Sequence, residues 1–123
     1  MAKEREDTVT CDPEDDSVVV RVRGDIDAES APLLKEALRT ARRSPSVCTV
    51  VDLSATEFAD SSILHVLLEE QETHRLAGRP MVVAGPFNES IERLFEVTGT
   101  TGYFVFTDDV TTATEAPRAV TER

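Results

Sequence analysis

The stretch VCTVVDLSATEFADSSILHVLLEEQETHRLAG, residues 47–78, decides the fold class. Its first seven residues, Val47 to Leu53, are mostly apolar and rich in β-branched side chains. Such a run reads as a strand covered on both faces, as in the centre of a parallel sheet. Residues 54–59 read as a connector to Asp60. From Ser61 the periodicity changes. Ile63, Leu64, Val66, Leu67 and Leu68 make a broad apolar face, which predicts a helix to about Leu76, and Gly78 supplies its stop. A buried strand followed closely by a helix is half of a parallel crossover unit.

The flanking sequence extends the pattern in both directions. Ser17 to Arg23 reads as a strand that ends by alternating Val with Arg, and Thr8 to Cys11 as its partner. The acidic Asp12-Pro13-Glu14-Asp15-Asp16 between them suits a turn and lacks the spacing of a calcium loop. After Gly24-Asp25-Ile26-Asp27 a helix is expected from about Glu29 to Arg43. Leu34, Ala37, Leu38 and Ala41 share one face, Asp27 is the expected cap, and Pro32 falls in the first turn. Arg39, Arg42 and Arg43 suit its negative C-terminal end, and Ser44-Pro45 ends it. Downstream, Met81 to Ala84 is a strand and Asn88 caps a helix to about Val97, with Ile91, Leu94 and Phe95 inward. Tyr103 to Phe106 is the last strand, before a helical turn over Val110 to Ala116. The order β, β, α, β, α, β, α, β, α predicts an α/β fold with a mostly parallel mixed sheet of four or five strands and about four helices. One domain is expected over residues 1–123, its core at about 8–116, with fraying at the acidic N-terminus and the polar C-terminal tail.

With 24 acidic and 13 basic residues the net charge is −11, which repels a nucleic-acid duplex, and no basic stripe relieves it in the sequence. No apolar stretch is long enough to span a bilayer, and the charged start from Met1 to Asp7 lacks the apolar region of a signal peptide. A cytoplasmic protein with no direct nucleic-acid or membrane partner is expected. Cys11 and Cys48 are too few for a disulfide framework, and Cys48 reads as a buried, reduced core thiol.

Most catalytic and ligand motifs are missing. There is no GxxxxGK[ST] loop, no GxGxxG and no GxSxG. His65 and His74 are nine residues apart on one helix, hence on opposite faces, and cannot hold one metal ion. Ser61 and His65 are four apart and, with Asp25 or Asp27, sketch a hydrolase-like triad that lacks an oxyanion hole. The more informative group is Asp60-Ser61-Ser62. Asp60 is a good helix cap, which leaves Ser61 in the first turn, where a phosphate would meet the positive end of the helix.

Several ordered segments resemble those of STAS domains, in particular the bacterial anti-sigma factor antagonists. Val19-Val20-Arg21-Val22-Arg23-Gly24-Asp25-Ile26-Asp27-Ala28 resembles the family's opening strand and Gly-Glu-Leu-Asp. Val50-Val51-Asp52-Leu53-Ser54, then Phe58-Ala59-Asp60-Ser61-Ser62, resemble its central strand and Asp-Ser-Ser/Ala-Gly signature. Arg75-Leu76-Ala77-Gly78, Ala84-Gly85-Pro86 and Arg93-Leu94-Phe95-Glu96-Val97-Thr98-Gly99 follow in the family's order, so the likeness covers about Val18 to Ala113. The resemblance implies partner switching. The unphosphorylated antagonist binds an anti-sigma factor that is also a GHKL-type serine kinase, and a sigma factor is released. Phosphorylation of the serine after the Asp, here Ser61, reverses this, and a PP2C-type phosphatase restores it. ATP belongs to the kinase, so no cofactor is expected on this chain, and no activity as an enzyme. By the same resemblance Asp25, Asp27, Asp60, Ser61, Ser62 and Ile63 form the partner-binding edge. Ile63 stands where the family has Gly, and a half-exposed Ile63 is expected to tune partner choice. A STAS module that binds another signalling or transport partner without phosphorylation is the alternative.

Overall fold

The computed structural model describes residues 8–115. β1 (Val9–Glu14) and β2 (Ser17–Ile26) form an antiparallel hairpin, with Val9 opposite Val22 and Glu14 opposite Ser17. Then come α1 (Ala31–Arg43), β3 (Cys48–Ala59), α2 (Ser61–Leu76), β4 (Met81–Ala84), α3 (Glu89–Val97), β5 (Val105–Thr107) and α4 (Val110–Glu115). The five strands lie in chain order, β1-β2-β3-β4-β5, and every pair after the hairpin is parallel. The expected α/β class and mixed, mostly parallel sheet are therefore present. The ends expected to fray, and Ala116 of the expected last turn, lie outside the described residues.

Alternation sorts the side chains of β2 and β3 between two cores. Val18, Val20 and Val22, with Val51 and Leu53, pack against Leu34 and Leu38 of α1, Ile63 and Leu67 of α2, and Ile91 and Phe95 of α3. Val19, Cys48, Val50, Val82 and Ala84 face the other way and share a smaller core with Ala113 of α4. β3 is thus buried on both faces, as its composition requires. Cys48 is fully buried, and desolvation pushes its thiol up to about 11, so it stays protonated and inert. On the second face Arg21 is held by Glu14 at 2.6 Å, Asp52 at 3.5 Å and Asp12 at 3.6 Å, which employs part of the acidic hairpin.

Four boundaries differ from the sequence reading. β1 does not stop at Cys11: Asp12, Pro13 and Glu14, expected in the turn, stay paired with β2, and only Asp15 and Asp16 make the turn. β3 does not stop at Leu53 but runs on to Ala59, because residues 55–59 keep pairing with β2 through two register shifts. Gly24, at φ +75, sits at one of these irregularities, where a side chain would be strained. α1 starts at Ala31 with Ser30 as N-cap, and the Ser30 side chain makes no capping bond. Asp27 instead closes the preceding turn, its Oδ1 accepting from Glu29 N at 3.1 Å and Ser30 N at 3.3 Å. Tyr103 belongs to a short 3-10 turn, and β5 begins at Val105.

The two histidines of α2 point to opposite environments. His65 is exposed and lies 3.2 Å from Glu69. His74 is fully buried. Its Nδ1–H donates to Glu70 O at 2.8 Å, so Nε2 accepts from the Thr49 hydroxyl at 2.9 Å. Glu70, itself buried, receives Arg42 of α1 at 3.3 Å. A polar chain thus ties α1, α2 and β3 together inside the core. Folding gathers Lys35, Arg39, Arg42 and Arg43 along one groove, a basic row the sequence did not reveal. Glu69, Glu70 and Glu72 line the facing side and partly neutralise it.

Candidate functional site

The site lies at the carboxyl end of the sheet, where β2 and β3 finish together. Asp25 stands opposite Phe58, and Ile26 opposite Ala59. Asp27 and Asp60 are the next residues on the two paired chains, so the register alone brings both acids to one corner. In parallel α/β sheets that end is where binding residues collect, because the loops leaving the strands open there.

Asp60 begins α2. Its backbone is extended, and its Oδ1 accepts from Ser62 N at 2.9 Å, while its carbonyl accepts from Ile63 N at 3.1 Å. This is the cap expected from sequence, and it leaves Ser61 as the first helical residue. Ser61 is exposed, Ser62 half-buried, and Asp25 and Asp27 exposed. A group transferred to the Ser61 hydroxyl would stand at the positive end of a helix with its first turn already closed by Asp60. The same group would add negative charge to a corner that holds three carboxylates.

Ile63 corrects its expectation. Only 1% of it is exposed, and it belongs to the core between α2 and the sheet. The first turn of α2 lies down on the sheet directly after the strand, so the residue two past Ser61 points inward. Ile63 is not available as a surface contact.

The surface near Ser61 contains apolar groups that the sequence reading did not assign. Phe58, two residues before Asp60, is 50% exposed, and Leu33 of α1 is equally exposed. Leu33 lines a cavity of about 300 Å3 with Thr8, Asp25, Asp27, Glu29 and Ser30. Phe58 carries a recoverable signal: it breaks the polar run of residues 54–60 with an aromatic side chain. Asn88, expected only as the cap of α3, does cap it through Ile91 N at 2.9 Å. It also reaches back to β3, donating Nδ2 to Thr56 O at 3.2 Å and Glu57 O at 3.0 Å. Thr56 is buried and bonds Val22 O at 2.8 Å, so the last part of β3 is anchored from both sides.

The geometry does not assemble a hydrolase. Among the described residues no hydrogen bond joins Ser61 to His65, whose Nε2 is beside Glu69. Nor does any group of three or more His, Cys, Asp or Glu among them come together as a metal site. No helix among them is long and apolar enough to cross a membrane.

Comparisons with known proteins agree on one family. The family model described as "Mlab, STAS domain" matches residues 9–107. An anti-sigma-B factor antagonist of Listeria monocytogenes is 32% identical over 84 residues, which are 68% of this chain and 73% of that protein. The crystal structure of an anti-sigma factor antagonist from Mycobacterium paratuberculosis superimposes with a TM-score of 0.77 at 27% identity, covering 90% of this chain and 93% of that one. The Bacillus cell fate determinant SpoIIAA in its phosphorylated form superimposes with a TM-score of 0.68 at 15% identity, over 89% of this chain and 99% of that one, a likeness of fold.

Proposed function

The chain belongs to the STAS domain family, and from that premise we propose that it is an anti-sigma factor antagonist, a cytoplasmic protein-binding switch. In the unphosphorylated state it binds an anti-sigma factor with GHKL-type serine kinase activity and so frees a sigma factor. Transfer of the γ-phosphoryl group of the kinase's ATP to Ser61 ends the binding, and a PP2C-type phosphatase reverses the transfer. The one observation that carries this reading is the Asp60–Ser61 corner, an exposed hydroxyl at the start of α2 beside Asp25 and Asp27.

The physical basis is charge at a contact edge. A phosphoserine adds about 1.5–2 negative charges at neutral pH. Here they would join Asp25, Asp27 and Asp60, and a partner surface matched to the unmodified edge would face a stronger field. The helix end tolerates the phosphate, so the switch acts on the interface and leaves the fold intact. In this reading Asp25, Asp27, Asp60, Ser61 and Ser62 form the charged part of the contact edge, and Phe58 adds an aromatic anchor of the kind that dominates protein interfaces.

The test is phosphate transfer from the kinase partner and ATP, followed by intact-mass and peptide mapping. One added phosphate at Ser61, absent from Ser61→Ala, is the expected result. Phosphate on Ser62 alone would reject the assignment. A second reading keeps the protein interaction and drops the phosphorylation; it is favoured by the exposed Phe58 at the same edge, an apolar contact that needs no phosphate. Tight partner binding with no phosphate incorporated would establish it instead.

A further inference from the structure

We propose that Asn88 is a positioning residue for Ser61, its side-chain amide acting as a latch between the start of α3 and the end of β3. The inference rests on Ser61 being the phosphoacceptor. The β3–β4 ladder ends with Asp52 opposite Ala84, so residues 54–59 have β2 on one side and no strand on the other. Asn88 supplies donors where that strand is missing. Its Nδ2 reaches Thr56 O and Glu57 O at 3.2 and 3.0 Å, four residues and more before Ser61. Its Oδ1 meanwhile receives Ile91 N at 2.9 Å. The two duties fix the orientation of the amide, since only the NH2 can face two carbonyls and only the oxygen can face an N–H. The chain reaches this place through a tight turn at Gly85, where a Cβ would come within 2.9 Å of Phe87 N.

The hydroxyl of a phosphoacceptor is the nucleophile, and it has to be held in line with the γ-phosphorus it attacks and the oxygen of ADP that leaves. Two carbonyls pinned just upstream limit how the Asp60–Ser61 corner can swing. Displacements of about 1 Å at such a group cost up to about 100-fold in rate. Asn88 makes this contribution without touching Ser61 itself.

Two variants separate the latch from the cap, because Asp and Ser both cap helices as well as Asn. Asn88→Asp keeps an acceptor for Ile91 N and turns a carboxylate oxygen against two carbonyls. Asn88→Ser keeps a capping hydroxyl and is too short to reach β3. Amide hydrogen exchange on the protein alone should speed up about ten-fold at Ser62 and Ile63, whose N–H groups are bonded to Asp60, in both variants, while Ile91 keeps its protection. In phosphate transfer by the kinase partner, kcat should fall about 10- to 100-fold with KM changed much less. Wild-type exchange at Ser62 and Ile63 in both variants overturns the latch, whatever the kinase assay gives. Faster exchange with kcat unchanged overturns the positioning role. Failure of the wild-type chain itself to take phosphate overturns the phosphoacceptor reading, and with it the positioning role, a result distinct from either of the others.

Discussion

Ser61 and Ile63 are two residues apart on one helical turn and face opposite surroundings. Ser61 is exposed, so Ser61→Ala should leave the fold and the partner affinity nearly unchanged. Ser61→Asp puts one more charge on the acidic corner and should weaken partner binding about ten-fold, by calorimetry; like charges at an interface cost up to several kcal/mol. Equal affinities for the two variants would remove the charge argument. Ile63 is core, so Ile63→Gly should cost about 2–5 kcal/mol in urea melts for the lost packing. Glycine in a helix adds about 1 kcal/mol more. A loss below 1 kcal/mol would contradict its burial. At His74, burial holds the imidazole pKa below the usual 6.5 against the smaller opposing pull of Glu70. The unfolded chain therefore binds this proton at higher pH than the folded one does. Stability contributed by the neutral ring is present above pH 6.5 and is lost as pH falls from there toward the folded pKa. His74→Gln should flatten the fall of Tm between pH 7 and 5.5 relative to wild type, and identical slopes would show that the ring does not titrate there. The exposure of Ser61 was legible from its place after the Asp60 cap and the apolar side of Ile63 from the helix periodicity, but the full burial of Ile63 and of His74 was not. Ile63 and Ser61 both sit in a helix start, and the way α2 lies against the sheet decides how deeply each is buried.

At the scale of elements, α2 depends on a single side-chain cap. Asp60→Ala should cost about 1 kcal/mol, and Asp60→Asn much less, since the amide oxygen can still take the Ser62 N–H. Thermal melts of the pair test this, and equal losses would mean that the charge matters and the cap does not. Helices α1, α2 and α3 and strands β2 and β4 were legible because their apolar residues recur at clear periods. The continuation of β3 was not. Ser54 to Ala59 has no strand periodicity of its own; it is held extended by its pairing with β2 and by the Thr56 hydroxyl on Val22 O. The second bond of Asn88 was illegible for the same reason, because its acceptors are carbonyls more than 30 residues away in the chain. Ser61, Asp60, Asp25 and Asp27 were legible as a group only through resemblance. Their spacing in sequence does not show that β2 and β3 end side by side.

Across the whole molecule the net charge of −11 favours a partner with a basic face. Association with the anti-sigma factor should slow as salt rises from about 0.05 to 0.5 M, with dissociation changed far less, because the screening length drops below about 10 Å over that range. Stopped-flow mixing measures both rates, and a salt-independent on-rate would exclude electrostatic steering. The five strands lie across the sheet in the same order as along the chain. Each new strand pairs with the one made just before it, and none has to slip between two that are already joined. A chain leaving the ribosome can therefore build its sheet from one edge to the other at the pace of translation. By the time Leu76 emerges, β1, β2, β3 and α2 are all available, and the corner that carries Ser61 can form while β4 and β5 are still inside the ribosome.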